Sequence, residues 1–206
     1  MPDTKHFDPD AVLDTVVRLF WRRGVARTGI QDVVNATGLN RSSLYATFGG
    51  KQELYLAALE RYVAQRSRPV LARLAADDRG LPAVTEFFTN LIESRCTGAY
   101  ARWGCMISNA HAGAENTDPA LRAVLDRQHA HLRDALHSAL RTAQGLRQLA
   151  DGVDPASAAE FLALLAHGVN IRSRAGVDAQ QLHATVTAAL DAVTGTSGTT
   201  ATRPRS

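Results

Sequence analysis

The chain has 206 residues, of which 45% are hydrophobic and 21% charged, a balance that suits a globular core and excludes a disordered protein. Its formal net charge of +3 is compatible with nucleic-acid binding without requiring it. No apolar run reaches the roughly 18 residues of a membrane span, and the N-terminal stretch lacks the apolar segment of a signal peptide. Two cysteines are too few for a disulfide framework, so we expect a cytoplasmic protein without a membrane partner.

The N-terminal region predicts a flexible arm over residues 1–7 and then a helix. Asp8 can cap this helix, and Pro9 suits its first position, where a missing N–H is no loss. Arg22, Arg23 and Gly24 close it, with positive charge at the negative end of the helix dipole. The apolar spacing between these ends predicts a buried face formed by Val12, Leu13, Val16, Leu19 and Phe20.

Residues 28–51 predict two short helices joined by a tight turn. Thr28 is expected to cap the first helix, Gly38 to end it in the left-handed conformation, and Asn40 to cap the second. The second helix, 41–48, buries two apolar residues four apart and carries hydrogen-bonding groups on its other faces. This is the pattern of a helix-turn-helix, whose second helix enters the DNA major groove.

Every strong periodic signal after this segment is also helical. We expect helices over 51–68, from Pro82, over 105–112, over 119–144, over 156–174 and over 178–193. The predicted fold class is all-α. It comprises an arm and three-helix helix-turn-helix DNA-binding domain over 1–51, a helical regulatory and dimerisation domain over 52–193, and a disordered tail over 194–206.

The helix predicted over 156–174 is apolar nearly all round, which indicates a central or an interface helix. Ala159, Ala163 and Ala166 are expected to let a partner approach closely. We predict that this helix and the next, 178–193, form a four-helix contact between two copies. Packing within one chain is the alternative. A dimer also fits the helix-turn-helix, because two recognition helices about 34–36 Å apart reach successive major grooves.

The run 24–54 closely resembles the N-terminal domain of the TetR family of transcriptional repressors. It contains the family's Gly turn, a Leu-Tyr-x-x-Phe recognition helix and a Lys-x-x-Leu start to the next helix. Thr37 stands where Ala is usual and Thr47 where His is frequent, so contacts of that His cannot be transferred. The resemblance implies a ligand-responsive repressor that binds a pseudo-palindromic operator as a homodimer and is released by a small-molecule inducer.

Polar and cationic side chains of the helix-turn-helix are the candidate DNA contacts: Thr28, Gln31, Asn40, Arg41, Ser42, Ser43, Tyr45 and Lys51. Hydroxyl groups and the Lys51 ammonium suit phosphate oxygens. Arg41 is the best candidate for base reading, because its guanidinium matches two acceptors on guanine; a phosphate contact is the alternative. The amide of Asn40 or Gln31 suits adenine or phosphate.

The resemblance also implies a small-molecule site among the middle helices. Residues that mix bulky apolar surface with a few polar anchors are the candidates to line it: Phe87, Phe88, Trp103, Cys105, Met106, Asn109, His129, Phe161 and His167. Plain core packing is the alternative for each. His129 and His131 point to different helix faces, and the two cysteines lack zinc-finger spacing. We therefore expect no metal site and no cofactor.

Cys105 lies in the segment 103–109, which resembles a Gly-Cys-Leu-x-x-Asn segment of a TetR subgroup that includes repressors of electrophile and copper responses. A reactive thiol would make the protein a redox- or electrophile-sensing repressor. The alternative is a buried thiol that acts as a small apolar residue. Some cysteine-sensing relatives pair the thiol with a lysine, but Lys5 and Lys51 both lie outside the regulatory half.

A helical enzyme or non-DNA-binding module is the remaining alternative. No Gly-rich phosphate loop, metal-ligand helix or nucleophile elbow supports it, so no catalytic residue is predicted.

Overall fold

The computed structural model describes residues 7–113 and 117–195, and within these ranges all regular structure is helical, as predicted. The helices are α1 (Pro9–Arg23), α2 (Ile30–Thr37), α3 (Arg41–Phe48), α4 (Lys51–Tyr62), α5 (Arg68–Ala76), α6 (Leu81–Cys96), α7 (Met106–His111), α8 (Pro119–Gly145), α9 (Pro155–Arg174) and α10 (Ala179–Thr194). None of these helices is long and apolar enough to cross a membrane. Most of the predicted arm and tail lies outside the described residues.

Three helix starts follow the predicted Asp-Pro signal. Asp8 Oδ1 accepts a hydrogen bond from the N–H of Asp10 at 2.9 Å. Asp118 Oδ1 accepts from two N–H groups in the first turn of α8, at 2.8 and 3.0 Å, and Asp154 caps α9 in the same way at 3.3 and 3.0 Å. These caps are confirmed because they depend only on neighbouring residues.

The helix predicted to end before Pro69 instead continues to Ala76. A π turn over Val63–Ser67 joins α4 to α5, and in it the N–H of Arg68 bonds to the carbonyl of Val63, five residues back. Pro69 is then the second residue of α5. Proline has no N–H to donate to the preceding turn, and the π turn lies immediately before it.

The chain divides into two compact units. The first unit contains the described residues up to Pro69 together with Cys105–Gln128, and the second contains Val70–Gly104 together with the described residues from His129 onward. The unit that holds the helix-turn-helix is thus larger than the predicted domain 1–51, and α8 contributes to both units.

In the first unit, α4 packs along α1 through aromatic side chains and an ion cluster. Phe20 meets Tyr55 edge-on with ring centroids 5.2 Å apart. On the polar side, Arg61 Nε donates to Asp14 Oδ1 at 2.6 Å and Arg61 Nη1 to Asp10 Oδ1 at 2.9 Å. These contacts fix α4 on α1, which holds the helix-turn-helix from both ends.

Replacing Arg61 with Ala is expected to lower the free energy of unfolding at neutral pH by about 1 kcal/mol, because charge-assisted bonds to the half-exposed Asp14 and the exposed Asp10 are lost. The Arg61 guanidinium holds the pKa of Asp14 below its ordinary value. A carboxylate of lowered pKa stabilises the fold above its unfolded pKa, and this contribution is lost as the pH falls through the folded pKa. In urea unfolding, the difference between wild type and variant should therefore shrink as the pH falls below about 4, the ordinary pKa of an aspartate. A difference that persists there would assign the effect to packing of the Arg61 stem.

The second unit has a core formed by α5, α6, α8, α9 and α10. Its fully buried large side chains include Phe88, Ile92, Leu136, Leu140 and Leu162. Correcting the prediction, the small residues of α9 face this core and not a partner copy: Ala159 and Ala163 are 0% exposed and Ala166 is 2% exposed. When a helix is apolar on all sides, its sequence does not show which side packs within the protomer. Here the alanines allow close packing within the protomer.

Candidate nucleic-acid interface

The turn between α2 and α3 has the predicted geometry. Gly38 ends α2 with φ 71°, a left-handed conformation that costs glycine little, and its N–H bonds to the carbonyl of Val34 at 2.9 Å. Asn40 caps α3, since its side-chain oxygen accepts from the N–H of Ser43 at 2.8 Å. The turn and its second cap are therefore confirmed, and Asn40 Oδ1 is already engaged within the protein.

The start of α2 differs from the prediction. Gly29 is the N-cap residue, and Asp32 Oδ2 accepts its N–H at 2.8 Å. Asp32 Oδ1 also accepts from Arg23 at 3.1 Å, which ties α2 to the end of α1. Thr28 is 0% exposed, and its hydroxyl donates to the carbonyl of Gly24 at 2.7 Å. The predicted Thr28 cap is therefore wrong, and its hydroxyl does not lie at the surface that a phosphate would contact.

Asp32 was a readable signal. A carboxylate three residues after a capping position is the reciprocal half of a capping box, and Gly29-x-x-Asp32 has that spacing. Judged from neighbouring residues alone, Thr28 is an equally acceptable N-cap residue for α2. Burial of the Thr28 side chain decides between them.

The outward face of α3 is polar and begins at its first turn. Arg41 and Ser42 are exposed, Ser43 is half-buried, and Tyr45 is 43% exposed. Leu44 lies on the opposite side with 1% exposure. On α2, Gln31 is exposed and donates to Asn35 Oδ1 at 3.1 Å. A guanidinium and several hydroxyls are thus presented together, while one apolar residue anchors the helix.

Lys51 is the first residue of α4, as predicted. Glu53 caps this helix by accepting the N–H of Gly50 at 2.8 Å. Gln52 donates to Asp118, the N-cap residue of α8. Beside this bond lies an open crevice of about 440 Å³, lined by Val25, Lys51, Gln52, Glu53, Tyr55, Leu56, Thr117, Asp118, Ala120 and Leu121. The positive charge of Lys51 therefore coincides with the positive end of the α4 dipole.

The predicted ligand-lining residues are divided between the two units. Cys105, Met106 and Asn109 belong to the first unit; Phe87, Phe88, Trp103, His129, Phe161 and His167 belong to the second. Phe88 is 0% exposed and is part of the core, whereas Phe161 is 47% exposed on the surface of α9. Surface exposure removes Phe161 from any interior lining.

Two of the polar candidates do meet in the second unit. His129 Nδ1 and His167 Nε2 are 3.4 Å apart, and the two rings stack with centroids 5.6 Å apart. His129 Nε2 lies 3.0 Å from a carboxylate oxygen of Glu160. This cluster joins α8 to α9. Among the described residues, no three His, Cys, Asp or Glu side chains form a group suited to a metal ion.

Both cysteines are free thiols. Cys105 is 9% exposed and precedes α7, and the hydroxyl of Tyr62 donates to its Sγ at 3.5 Å. Burial raises the pKa of the Cys96 thiol, and Asp178 adds to this effect. A shielded Cys105 behaves as a small core residue, so the structure does not favour the sensing alternative over regulation by a small molecule.

A short helix, a left-handed Gly turn and a polar second helix, braced by α1 and α4, define a helix-turn-helix regulator. Comparison with known families assigns residues 12–58 to "Bacterial regulatory proteins, tetR family". Residues 80–189 match "Tetracyclin repressor-like, C-terminal domain". The chain belongs to the TetR family of transcriptional regulators. The alternative of a non-DNA-binding module is thereby excluded.

Characterised relatives extend over nearly the whole chain. It is 30% identical over 182 residues to HTH-type transcriptional repressor ComR of Escherichia coli (strain K12), covering 86% of this chain and 85% of that protein. It is 25% identical to HTH-type transcriptional repressor BdcR of the same strain, covering 92% and 90%. A solved structure of a cysteine mutant of the TetR family regulator CifR, complexed with 26-base-pair operator DNA, is 26% identical with a TM-score of 0.79, covering 92% of this chain and 99% of that one.

Proposed function

We propose that this protein is a repressor that binds a pseudo-palindromic DNA operator as a homodimer and is released by a small-molecule inducer. The observation that carries the proposal is the α2–α3 turn, which presents Arg41, Ser42 and Tyr45 on one exposed face, with Lys51 at the start of the following helix. The relatives named as repressors and the operator complex of CifR support the same function. Such a protein acts where the chromosome is, in the cytoplasm.

Within the interface, each polar group has a role that follows from its position. Ser43, Tyr45 and Lys51 hold phosphate oxygens and set the register of the protein on the duplex. Arg41, in the first turn of α3, reads guanine, since the N-terminal residues of a recognition helix reach the base edges. Asn40 offers its amide N–H₂ to DNA, since its side-chain oxygen already accepts the N–H of Ser43.

The dimer is assigned to α9 and α10. On α9, Phe161, Leu164 and Ile171 are 47%, 58% and 46% exposed in the protomer. Their positions, three and seven residues apart, place them on one side of the helix. Large apolar side chains grouped in this way mark a protein interface. A second copy therefore covers this face and supplies the second recognition helix.

The inducer is assigned to the second unit, which carries the C-terminal family match. Half-buried polar groups are the anchors such a ligand requires, and the His129–His167 pair with Glu160 is a group of this kind in the second unit. Phe87 and Trp103, both half-buried, supply apolar surface in the same unit.

Binding to the DNA upstream of the protein's own gene, followed by fluorescence anisotropy over a series of salt concentrations, tests the function. Phosphate contacts release counterions, so the logarithm of the binding constant should fall linearly with the logarithm of salt concentration. A scrambled duplex of the same composition should bind far more weakly. Equal affinity for both duplexes at every salt concentration would contradict a sequence-specific regulator.

Replacing Arg41 with Ala is expected to weaken operator binding by about 1–3 kcal/mol and to flatten the preference over scrambled DNA, because a bidentate contact to guanine is lost. Arg73→Ala, an exposed change of the same type on α5, is the matched control and should leave both affinities unchanged. Competition binding with operator and scrambled duplexes measures both quantities. Equal losses on the two duplexes would assign Arg41 to a phosphate.

Thr28→Val is expected to lower the free energy of unfolding by about 1 kcal/mol, because the bond from its hydroxyl to the Gly24 carbonyl is lost with little change in shape. Operator affinity should stay within about twofold of wild type, since a buried hydroxyl makes no phosphate contact. Thr28→Ser keeps the hydroxyl and is the control. A large loss of affinity in a stable Thr28→Val protein would restore Thr28 to the DNA contacts.

A further inference from the structure

The segment that follows α6, residues 97–104 of the second unit, folds back on the end of that helix. The N–H of Arg102 bonds to the carbonyl of Arg95 at 2.9 Å, and Arg102 has a φ of 62°, a left-handed conformation that residues with a side chain rarely adopt. The rings of Tyr100 and Trp103 meet edge-on with centroids 5.1 Å apart. Both are half-buried, so a pair of aromatic rings is partly open to solvent beside the end of α6.

Two guanidinium groups are fixed at the same segment. Arg95 Nε donates to Asn170 Oδ1 at 2.7 Å, and Arg174 Nη1 donates to the carbonyl of Trp103 at 2.7 Å. Asn170 and Arg174 are four residues apart and lie on one side of α9. Both arginines are half-buried. Helices α6 and α9 therefore hold two positive charges next to the aromatic pair.

The bonds that fix these arginines orient them without neutralising them. Asn170 is 6% exposed and donates its N–H₂ to the carbonyl of Ala166 at 2.8 Å, which directs its oxygen toward Arg95. An amide oxygen and a main-chain carbonyl are both uncharged acceptors. A guanidinium has five N–H donors in a planar fork, so it can keep such a bond and still bind a carboxylate.

The charge of the surrounding chain also favours an anion. Residues 93–104 and 170–178 contain four arginines against Glu93 and Asp178. The other polar group of the second unit has the opposite preference, because Glu160 lies 3.0 Å from His129 and would repel a carboxylate. The arginines are thus the better anchor for a negatively charged ligand.

We propose that Arg95, Arg174, Tyr100 and Trp103 bind the inducer and that the inducer is an aromatic carboxylate. The two guanidiniums hold the carboxylate, and the two rings pack against the ring of the ligand. The inference rests on the proposed function, because it names the chemical class of the molecule that releases the operator.

Calorimetric titration of the full-length protein without DNA tests the site, with β-naphthoate as the probe. Its neutral isostere β-naphthamide should bind at least about tenfold more weakly, since it lacks the charge. Arg174→Gln should lower the affinity for β-naphthoate at least about tenfold and remove this preference. Arg172→Gln, an exposed change of the same type on α9, is the matched control and should leave both affinities within about twofold. Equal binding of the two probes to wild type, no binding of β-naphthoate, or an unaltered Arg174→Gln protein would overturn the site.

Two further variants separate recognition from folding. Arg174→Lys keeps the charge and should still prefer β-naphthoate, although it binds more weakly than wild type because the planar fork is lost. Trp103→Leu keeps the main-chain carbonyl that holds Arg174 and should weaken both probes about equally, because ring contacts do not depend on charge. A Trp103→Leu protein with wild-type affinities would exclude the aromatic pair from the site.

A second arm measures the affinity for the duplex from upstream of the gene. Saturating β-naphthoate should weaken operator binding at least about tenfold in wild type and in Arg172→Gln, but not in Arg174→Gln. Tight binding of β-naphthoate that leaves operator affinity unchanged would overturn its assignment as inducer. If wild type binds no duplex at all, the proposed function fails, whereas calorimetry without DNA still decides whether the arginines bind an aromatic carboxylate.

Discussion

Leu164→Asp is expected to separate the homodimer into monomers and to weaken operator binding at least about 100-fold. Leu164 is the most exposed of the large apolar residues in the described chain, at 58%, and lies between Phe161 and Ile171 on α9. A carboxylate buried there without a partner costs several kcal/mol, which a contact between two copies does not recover. The affinity for the operator falls because a single recognition helix lacks the increase in effective concentration that the second recognition helix provides.

Light scattering coupled to size-exclusion chromatography measures the first effect, and anisotropy on the operator the second. Leu146→Asp is the matched control. Leu146 is 52% exposed, but it follows the end of α8 and is not part of the α9 face. The Leu146→Asp protein should remain dimeric and bind DNA with the affinity of the wild type. A dimeric Leu164→Asp protein would place the interface elsewhere than on this face of α9.

Helix ends were predictable where one residue and its nearest neighbours decide them. Asp8, Asp118, Asp154 and Asn40 cap the expected helices, because a short polar side chain reaches the free N–H groups of the next turn whatever the tertiary fold. Gly38 ends α2 for an equally local reason. Local signals of this kind are sufficient to predict the helix-turn-helix and most of its exposed polar groups.

Where two local signals compete, packing decides, and the sequence prediction failed. Thr28 and the Gly29-x-x-Asp32 pair are both acceptable helix starts, and Thr28 is withdrawn into the core. At Pro69 the local rule predicts a helix end. The chain stays helical there. Arg61 bonds to Asp14 before the proline, Leu74 is buried after it, and a π turn immediately precedes Pro69.

The sides of helices and the meeting of distant residues were the least predictable features. The periodicity of α9 shows that apolar residues surround it, but which side each neighbour covers depends on how α6 and α10 pack against it. The alanine side faces inward for this reason, and the phenylalanine side outward. Likewise, the sequence does not show that His129 and His167 meet, because their contact depends on the packing of α8 on α9.

Phe88→Ala is expected to lower the free energy of unfolding by about 3–5 kcal/mol, a large part of the roughly 5–15 kcal/mol that stabilises a typical domain. Phe88 is 0% exposed in the second core and meets Phe87 edge-on, with ring centroids 5.2 Å apart. Its removal therefore leaves a cavity that rigid neighbours cannot fill.

Urea unfolding followed by circular dichroism measures the loss, with Phe87→Ala as the matched control. Phe87 is half-buried and lies next to Phe88 on α6, so its truncation removes less packing and should cost less. Phe88→Leu, which keeps much of the volume, should retain a folded protein if the alanine variant does not. A ligand-lining Phe88 gives the opposite order, because enlarging an existing cavity forfeits fewer contacts than opening a new one. The ranking of the two alanine variants therefore decides whether this part of α6 is core or the wall of the inducer site.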